Sequence, residues 1–458
     1  MASSNGFSHV PEKVEKISTK NRKIITKIPV PESISILNKM YSLESRSMHG
    51  QLPLVWDKAQ NYNVYDKWGN KWIDFTSTIF VANAGHGNKG IIKKVRDSLS
   101  KPLLHTYNYA NQVRVDYLDY LIKNTPKNFE KAYLISAGTE STEAVMKFMR
   151  LHGINKKKGR GIITLSGSYH GRTLGAEMAG GSINYETWVS ANDKDLFKID
   201  YPDFNSIKEN NGREYFYSQI ENLEKQNKDF IKQLSGILLE TYQGWSARFL
   251  PITYVKAAYE FCKANDVLIA FDEMQAGFGR TGPLFGYMHY DITPDLICCG
   301  KGASSGFALS LVLGKTEIMD LPKVGTMSST NSANPISCAA GLANFQEINN
   351  KNLLYKSKIL GNYFHTKLNR LKKKYSNVIK FVEGKGMVAS LIFMDNYNNN
   401  LASLCDKIAF RCFQRGLLVV HTGRESIKLA PPLTITKTAL NEGISVIDEV
   451  LFKILKES

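Results

Sequence analysis

Six short, continuous apolar runs constrain this chain more than any other feature. They cover residues 132–135, 161–165, 236–239, 267–271, 296–298 and 309–313. A strand with one wet face alternates apolar and polar residues, whereas a continuous apolar run is buried on both faces. Such runs belong to mostly parallel sheets covered by helices. Helical spacing separates several of them. One segment, 142–151, ends at Gly153, and another, 255–263, repeats Val255, Ala258, Tyr259 and Cys262 at i, i+3, i+4 and i+7. The expected architecture is therefore α/β, with a mostly parallel central sheet in a large domain.

Beyond about residue 335 the pattern changes to long helices, 335–349, 353–374 and 401–415, mixed with strands such as 387–393. That predicts a smaller α+β domain formed by the C-terminal part. Near the start, residues 54–75 alternate around turn signals at Asp66-Lys67 and Gly69-Asn70, which predicts an antiparallel hairpin. The expected division is a flexible arm over 1–30, an N-terminal segment over 31–75 packing with the small domain, a large domain over 76–335 and a small domain over 336–458.

Composition narrows the function classes. The chain has 458 residues, 43% hydrophobic and 22% charged, with a formal charge of +17. Its lysine runs at 156–158 and 372–374 sit near expected helix ends and lack interleaved aromatics, so they read as solvated faces and not as a nucleic-acid surface. The six cysteines show no CxxC pair and no zinc-like spacing, which predicts buried thiols in a reducing compartment and no metal. The first 30 residues are polar and lysine-rich, and Glu12 and Glu15 argue against a transit peptide. No apolar run approaches the ~20 residues of a membrane helix. A cytoplasmic enzyme without a membrane partner is expected.

In an open α/β sheet, ligands bind beyond the carboxyl ends of the strands, so the residues after each run outline a site. After the first come Ser136 to Ser141, including Gly138 and Thr139. On its own this is a good helix N-cap, and it also suits a phosphate. After the second come Tyr169, able to lie on an aromatic cofactor, and Arg172, able to pair with a carboxylate. The third ends at Glu240 and the fourth at Asp272-Glu273, with Gln275 close behind; the fifth leads to Lys301 in Gly300-Lys301-Gly302. A Lys amine that forms a Schiff base, and an Asp that keeps a pyridine nitrogen protonated, are what pyridoxal phosphate chemistry requires.

The run from Phe271 to Gly282, followed by Pro294-Asp295-Leu296 and Gly300-Lys301-Gly302, resembles the signature of class III aminotransferases, pyridoxal phosphate enzymes of fold type I. Tyr169 to Thr173, Asn83 to Gly87, Asn334-Pro335 and Pro431 to Ile435 match further blocks of that family in order. The resemblance runs from about Leu54 to the C-terminus. It implies that Lys301 forms the internal aldimine and shuttles the proton, that Asp272 pairs with the pyridine nitrogen, and that Gln275 contacts the ring hydroxyl. It further implies that Tyr169 stacks on the ring and that Gly138 and Thr139 hold the phosphate. Thr330 matches the threonine such enzymes donate to the partner's phosphate, which implies a homodimer with shared sites. The expected reaction is ping-pong transfer of an amino group from an amine or ω-amino acid to a keto acid or aldehyde.

Two positions depart from the family pattern. Where glutamate-using members carry a carboxylate-binding Arg, this chain has Lys428; where they carry the Glu that holds that Arg aside, it has Trp245. Lys lacks the planar fork of Arg. Arg172 then becomes the expected carboxylate anchor, with Glu240, Trp245, Ile79 and Lys428 as the other substrate-side candidates. An aminomutase, racemase or decarboxylase on the same fold is the alternative. The literal GxGxxG at 277–282 would suit a nicotinamide oxidoreductase, but Pro283 follows at once and no amphipathic helix begins there.

Overall fold

The computed structural model describes residues 6–181, 188, 193–202 and 211–457. The first five residues of the expected arm lie outside them. The chain divides into a larger unit, Gly90–Gly244 with Arg248–Lys351, and a smaller one, Met1–Lys89 with Trp245–Ala247 and Asn352–Ser458.

The larger unit is built on a seven-stranded sheet. Its strands are β1 (Lys131–Ile135), β2 (Gly161–Leu165), β3 (Leu196–Ile199), β4 (Leu234–Glu240), β5 (Leu268–Asp272), β6 (Leu296–Cys299) and β7 (Ser310–Gly314). Their spatial order is 1-7-6-5-4-2-3. All neighbours are parallel except β7, which runs antiparallel to both β6 and β1. The mostly parallel α/β architecture of the sequence reading is thus present, and all six expected runs are strands. The unexpected strand is β3, an edge strand whose residues alternate between half-buried and buried, with Lys198 in the middle.

Helix α1 (Gly138–Asn155) starts four residues earlier than its apolar spacing predicts, because Glu140 accepts the amides of Ser136 and Ala137 and closes the helix start. Its inner face packs Val145, Met149 and Phe148 with Ile162, Leu238, Ala270, Cys298 and Val312. Helix Pro335–Asn350, read from sequence with the small domain, clusters with the larger unit. It is apolar on nearly every side and packs on helix Gln112–Lys123, where a Cβ on Gly341 would lie 3.1 Å from the Tyr117 ring. All six cysteines are free and buried.

The smaller unit holds two sheets. In one, Ile17–Ser18, Lys23–Ile24, Lys71–Asp74, Asn63–Tyr65 and Lys58–Gln60 lie in that order, and Leu417–Leu418 pairs in parallel with Lys71–Asp74. The expected hairpin is thus a three-stranded meander. Asp66 Oδ1 accepts the Trp68 and Asn70 amides in its second turn. Residues 17–30 depart from the expected loose arm: Ile24 and Ile28 are fully buried with Trp72 and Phe413. Their lysines and threonines alternate with these apolar residues and leave them free to pack. The second sheet joins Ile379–Glu383, Ala389–Phe393, Ser426–Leu429 and Val420–His421. Among the described residues no helix is long and apolar enough to cross a membrane.

Candidate active site

Strand register assembles the polar cluster of the larger unit. Asp272, the last residue of β5, lies opposite Glu240 at the end of β4 and opposite Cys298 in β6. Lys301 follows β6 across Gly300. Three neighbouring strand ends therefore bring two carboxylates and an amine to one edge of the sheet. Asp272 is fixed at both oxygens. Oδ1 accepts the Met274 amide at 2.9 Å, and Oδ2 lies 2.9 Å from His170 Nδ1.

The electrostatics follow from burial. Desolvation pulls the Lys301 ammonium below its ordinary range, against the opposing pull of Asp272 and Glu240. This favours an amine that can act as a base. Burial also pushes Glu240 up to about 7, with the positive charge of His170 acting against it and Asp272 adding to it. For His170, burial alone would lower the pKa; the hydrogen bond and charge of Asp272 outweigh it and the net shift is upward. Glu240 Oε2 and His170 Nε2 are buried without a hydrogen-bond partner among the described residues. Glu240 also lines a cavity of about 10 Å³, together with Tyr169, Asp272 and Gln275.

The backbone around Lys301 approaches its neighbours closely. A Cβ on Gly300 would lie 2.7 Å from the Met274 sulfur, and one on Gly138 would lie 2.9 Å from the same atom. Met274 thus packs beneath the start of α1 and the residue before Lys301 at once. A Cβ on Gly244 would meet Gln275 Nε2 and Glu240 Oε1, each at 2.7 Å. Thr139 Oγ1 is 2.6 Å from Thr173 Oγ1, whose hydroxyl also donates to Glu143. Tyr169 is 43% exposed, and the Arg172 guanidinium lies 5.4 Å from its ring centre, with Glu177 3.9 Å away.

These residues fit pyridoxal phosphate. An amine of lowered pKa, a fixed carboxylate, a half-exposed ring, a helix start with glycine at its first position and orphaned buried polar atoms are the donor set that such a cofactor needs.

The remaining candidates lie apart from this cluster in the chain. Thr330 is exposed in the larger unit and its carbonyl accepts His105 Nε2 at 2.6 Å. Its loop is tied to the end of β1 through Ser332 and Ser136. In the smaller unit, Trp245 carries the Arg424 guanidinium 3.9 Å from its ring centre. Lys428 is fully buried, its Nζ 4.4 Å from the Phe80 ring centre. Ile79 is 43% exposed on a left-handed turn. The sequence reading gave His170 and Met274 no role. His170 stands between the ring residue Tyr169 and Gly171 just after β2, which was the available signal. The GxGxxG stretch forms turns, and the 3-10 turn Gly286–Tyr290 follows it, so no long helix N-terminus awaits a dinucleotide.

Comparison with known proteins agrees with this geometry. Residues 45–451 match the family model described as aminotransferase class-III. The chain is 30% identical over 425 residues to an acetylornithine aminotransferase of Clostridium acetobutylicum, covering 90% of this chain and 99% of the relative. It is 28% identical over 426 residues to a 5-aminovalerate aminotransferase of Pseudomonas aeruginosa, covering 91% and 97%. The solved ornithine aminotransferase of Toxoplasma gondii shares the fold with a TM-score of 0.81 at 22% identity, covering 93% and 96%. Since the family-model match over residues 45–451 spans both units and includes the strand ends carrying Asp272 and Lys301, the chain belongs to the class III aminotransferase family, whose members work with pyridoxal phosphate.

Proposed function

We propose that this chain is an aminotransferase in which Lys301 carries the cofactor and moves the proton, with an amine or ω-amino acid as donor and a keto acid or aldehyde as acceptor. The observation that carries this reading is the register of β4, β5 and β6, which sets Lys301 beside a carboxylate already fixed by His170. When bound, pyridoxal phosphate supplies an aldehyde that accepts the amino group and a ring that withdraws electrons. Asp272 Oδ2 offers an anionic partner to a protonated ring nitrogen, and His170 Nδ1 keeps that oxygen oriented. Gln275 would hold the ring hydroxyl through its amide, and Tyr169 would hold the ring by stacking. The amides of Gly138 and Thr139 would hold the phosphate, joined by Thr330 of a second copy in a homodimer. Lys301 Nζ, kept uncharged more readily by burial, would take the proton from the carbon bearing the amine and deliver it to the carbon on the far side of that nitrogen.

On the substrate side, Arg172 anchors a carboxylate distant from the reacting amine, as an ω-amino acid requires. Trp245 and Ile79 give apolar walls, and Glu240 supports Gln275. Lys428, buried against Phe80, acts indirectly. The relatives named for acetylornithine and 5-aminovalerate agree with a donor of this kind. We also place the enzyme in the cytoplasm, in accord with its six reduced cysteines. Borohydride reduction of the holoenzyme should fix the cofactor on the peptide containing Lys301. Attachment to another lysine, or none, would sink this assignment. A panel of amines with pyruvate and 2-oxoglutarate then identifies donor and acceptor, and racemisation without amino transfer would overturn the reaction class.

A further inference from the structure

Ser77, Thr78, Ile79 and Phe80 are four successive non-glycine residues with φ of 48°, 53°, 58° and 73°. Left-handed geometry crowds Cβ against the backbone, and β-branched side chains such as Thr78 and Ile79 suffer most. Such a stretch persists only where its surroundings impose it.

Beside local bonds such as that from the Thr78 amide to Thr76 Oγ1, two long-range contacts come from one strand end. Beyond Ser426–Leu429, the Ala430 carbonyl accepts Ser77 Oγ at 2.6 Å, and the Ala430 amide donates to Phe75 at 2.7 Å. Two residues earlier, Lys428 sets its ammonium 4.4 Å from the Phe80 ring centre. The turn is thus clamped at its first residue and at its last. Between the clamps, the side chains of Thr78 and Ile79 are exposed. A cation on an aromatic face counts for more when it is desolvated, and Lys428 is fully buried. This arrangement gives the ammonium a structural task that needs no substrate.

We propose that Lys428 is a positioning residue that holds Phe80, and through it the left-handed turn, so that Thr78 and Ile79 set which amine donors are accepted. The inference rests on the aminotransferase reading and on Ile79 as a substrate-side residue. The test compares Lys428→Met, Lys428→Arg, Phe80→Leu and the double variant Lys428→Met/Phe80→Leu. The first readout needs no cofactor: amide hydrogen exchange of the peptide carrying Phe80 and Val81, whose amides donate to Thr76 and Ser77 at 2.8 Å. Lys428→Met and Phe80→Leu should each speed that exchange about tenfold, and Lys428→Arg, which keeps the cation, should stay near the wild type.

The second readout is the ratio of kcat/KM for a short ω-amino acid to that for a bulky arylalkyl amine. Lys428→Met should shift it about tenfold, through KM more than kcat, and the double variant should shift it no further. Additive shifts in the double variant would mean that Lys428 meets the substrate directly and would overturn the proposal, as would unchanged exchange in Lys428→Met. A protein that forms no visible cofactor band fails the aminotransferase reading itself, while the exchange result still decides whether the clamp exists.

Discussion

In the larger unit the close approaches around Lys301 fall on glycines: Met274 leaves no room for a Cβ at Gly138 or Gly300. In the smaller unit the left-handed turn at 77–80 carries no glycine, although glycine would adopt it without strain. Each strained residue there costs about 1–2 kcal/mol. The two regions therefore treat tight backbone geometry in opposite ways. Around Lys301 the backbone of Gly138 and Gly300 comes close to the Met274 side chain, and further side chains would only obstruct. At the turn, side chains are retained in spite of strain, which points to Thr78 and Ile79 themselves as the reason. On the proposed reading, backbone approach serves the chemistry in one region, and side chains serve donor selection in the other.

The strongest way to break this contrast is Lys301→Ala. Losing the proton-moving amine should lower kcat/KM by about 10⁴ or more while circular dichroism stays unchanged. A loss below tenfold would move the chemistry elsewhere. The next effect is pH-dependent. Glu240 is pushed up to about 7 from 4.5, so the folded apoprotein holds a proton that the unfolded chain releases. That stability is fully present below the unfolded pKa and is lost as pH rises through about 7, by up to about 3 kcal/mol. His170, also raised, acts in the same direction. Urea unfolding of the apoprotein from pH 4.5 to 8 should show the decline, and Glu240→Gln should flatten it.

Gly300→Val should crowd Met274 and weaken cofactor retention by about 2 kcal/mol, read by absorbance titration. Retention at the wild-type level would show that the glycine is dispensable. Arg172→Ala should raise KM for ω-amino acids about tenfold and leave KM for amines without a carboxylate unchanged. The smallest effect sharpens the contrast from the other side. Thr78→Gly removes about 1–2 kcal/mol of strain and adds about 0.5–1 kcal/mol of chain entropy cost, so the melting temperature should rise slightly while donor discrimination loosens. Destabilisation instead would show that the turn does not strain the chain.

The site of the larger unit was legible because a polar residue that ends a continuous apolar run marks the edge of a buried strand. Parallel register then brings Asp272 beside Glu240 with little further freedom. His170 was harder, since its partner Asp272 lies 102 residues away and local spacing does not show the pairing. The edge strand Leu196–Ile199 was missed because an edge position needs no continuous apolar run. Helix Pro335–Asn350 was placed with the wrong unit because helix length says nothing about which core receives it. The left-handed turn gave no signal either: Ser-Thr-Ile-Phe contains no Gly or Asn, and the residues that impose it arrive from about 350 positions later. Lys428 likewise reads as a charged group for solvent or substrate until its burial is known.

The complete burial of all six cysteines has a practical side. Their thiols sit away from solvent, and burial raises those of Cys298 and Cys299 well above the usual range. A maleimide dye offered to the folded protein should find nothing to modify. One cysteine introduced at Thr78 would then be the sole attachment point, placing a fluorescent reporter on the left-handed turn without rebuilding the rest of the chain.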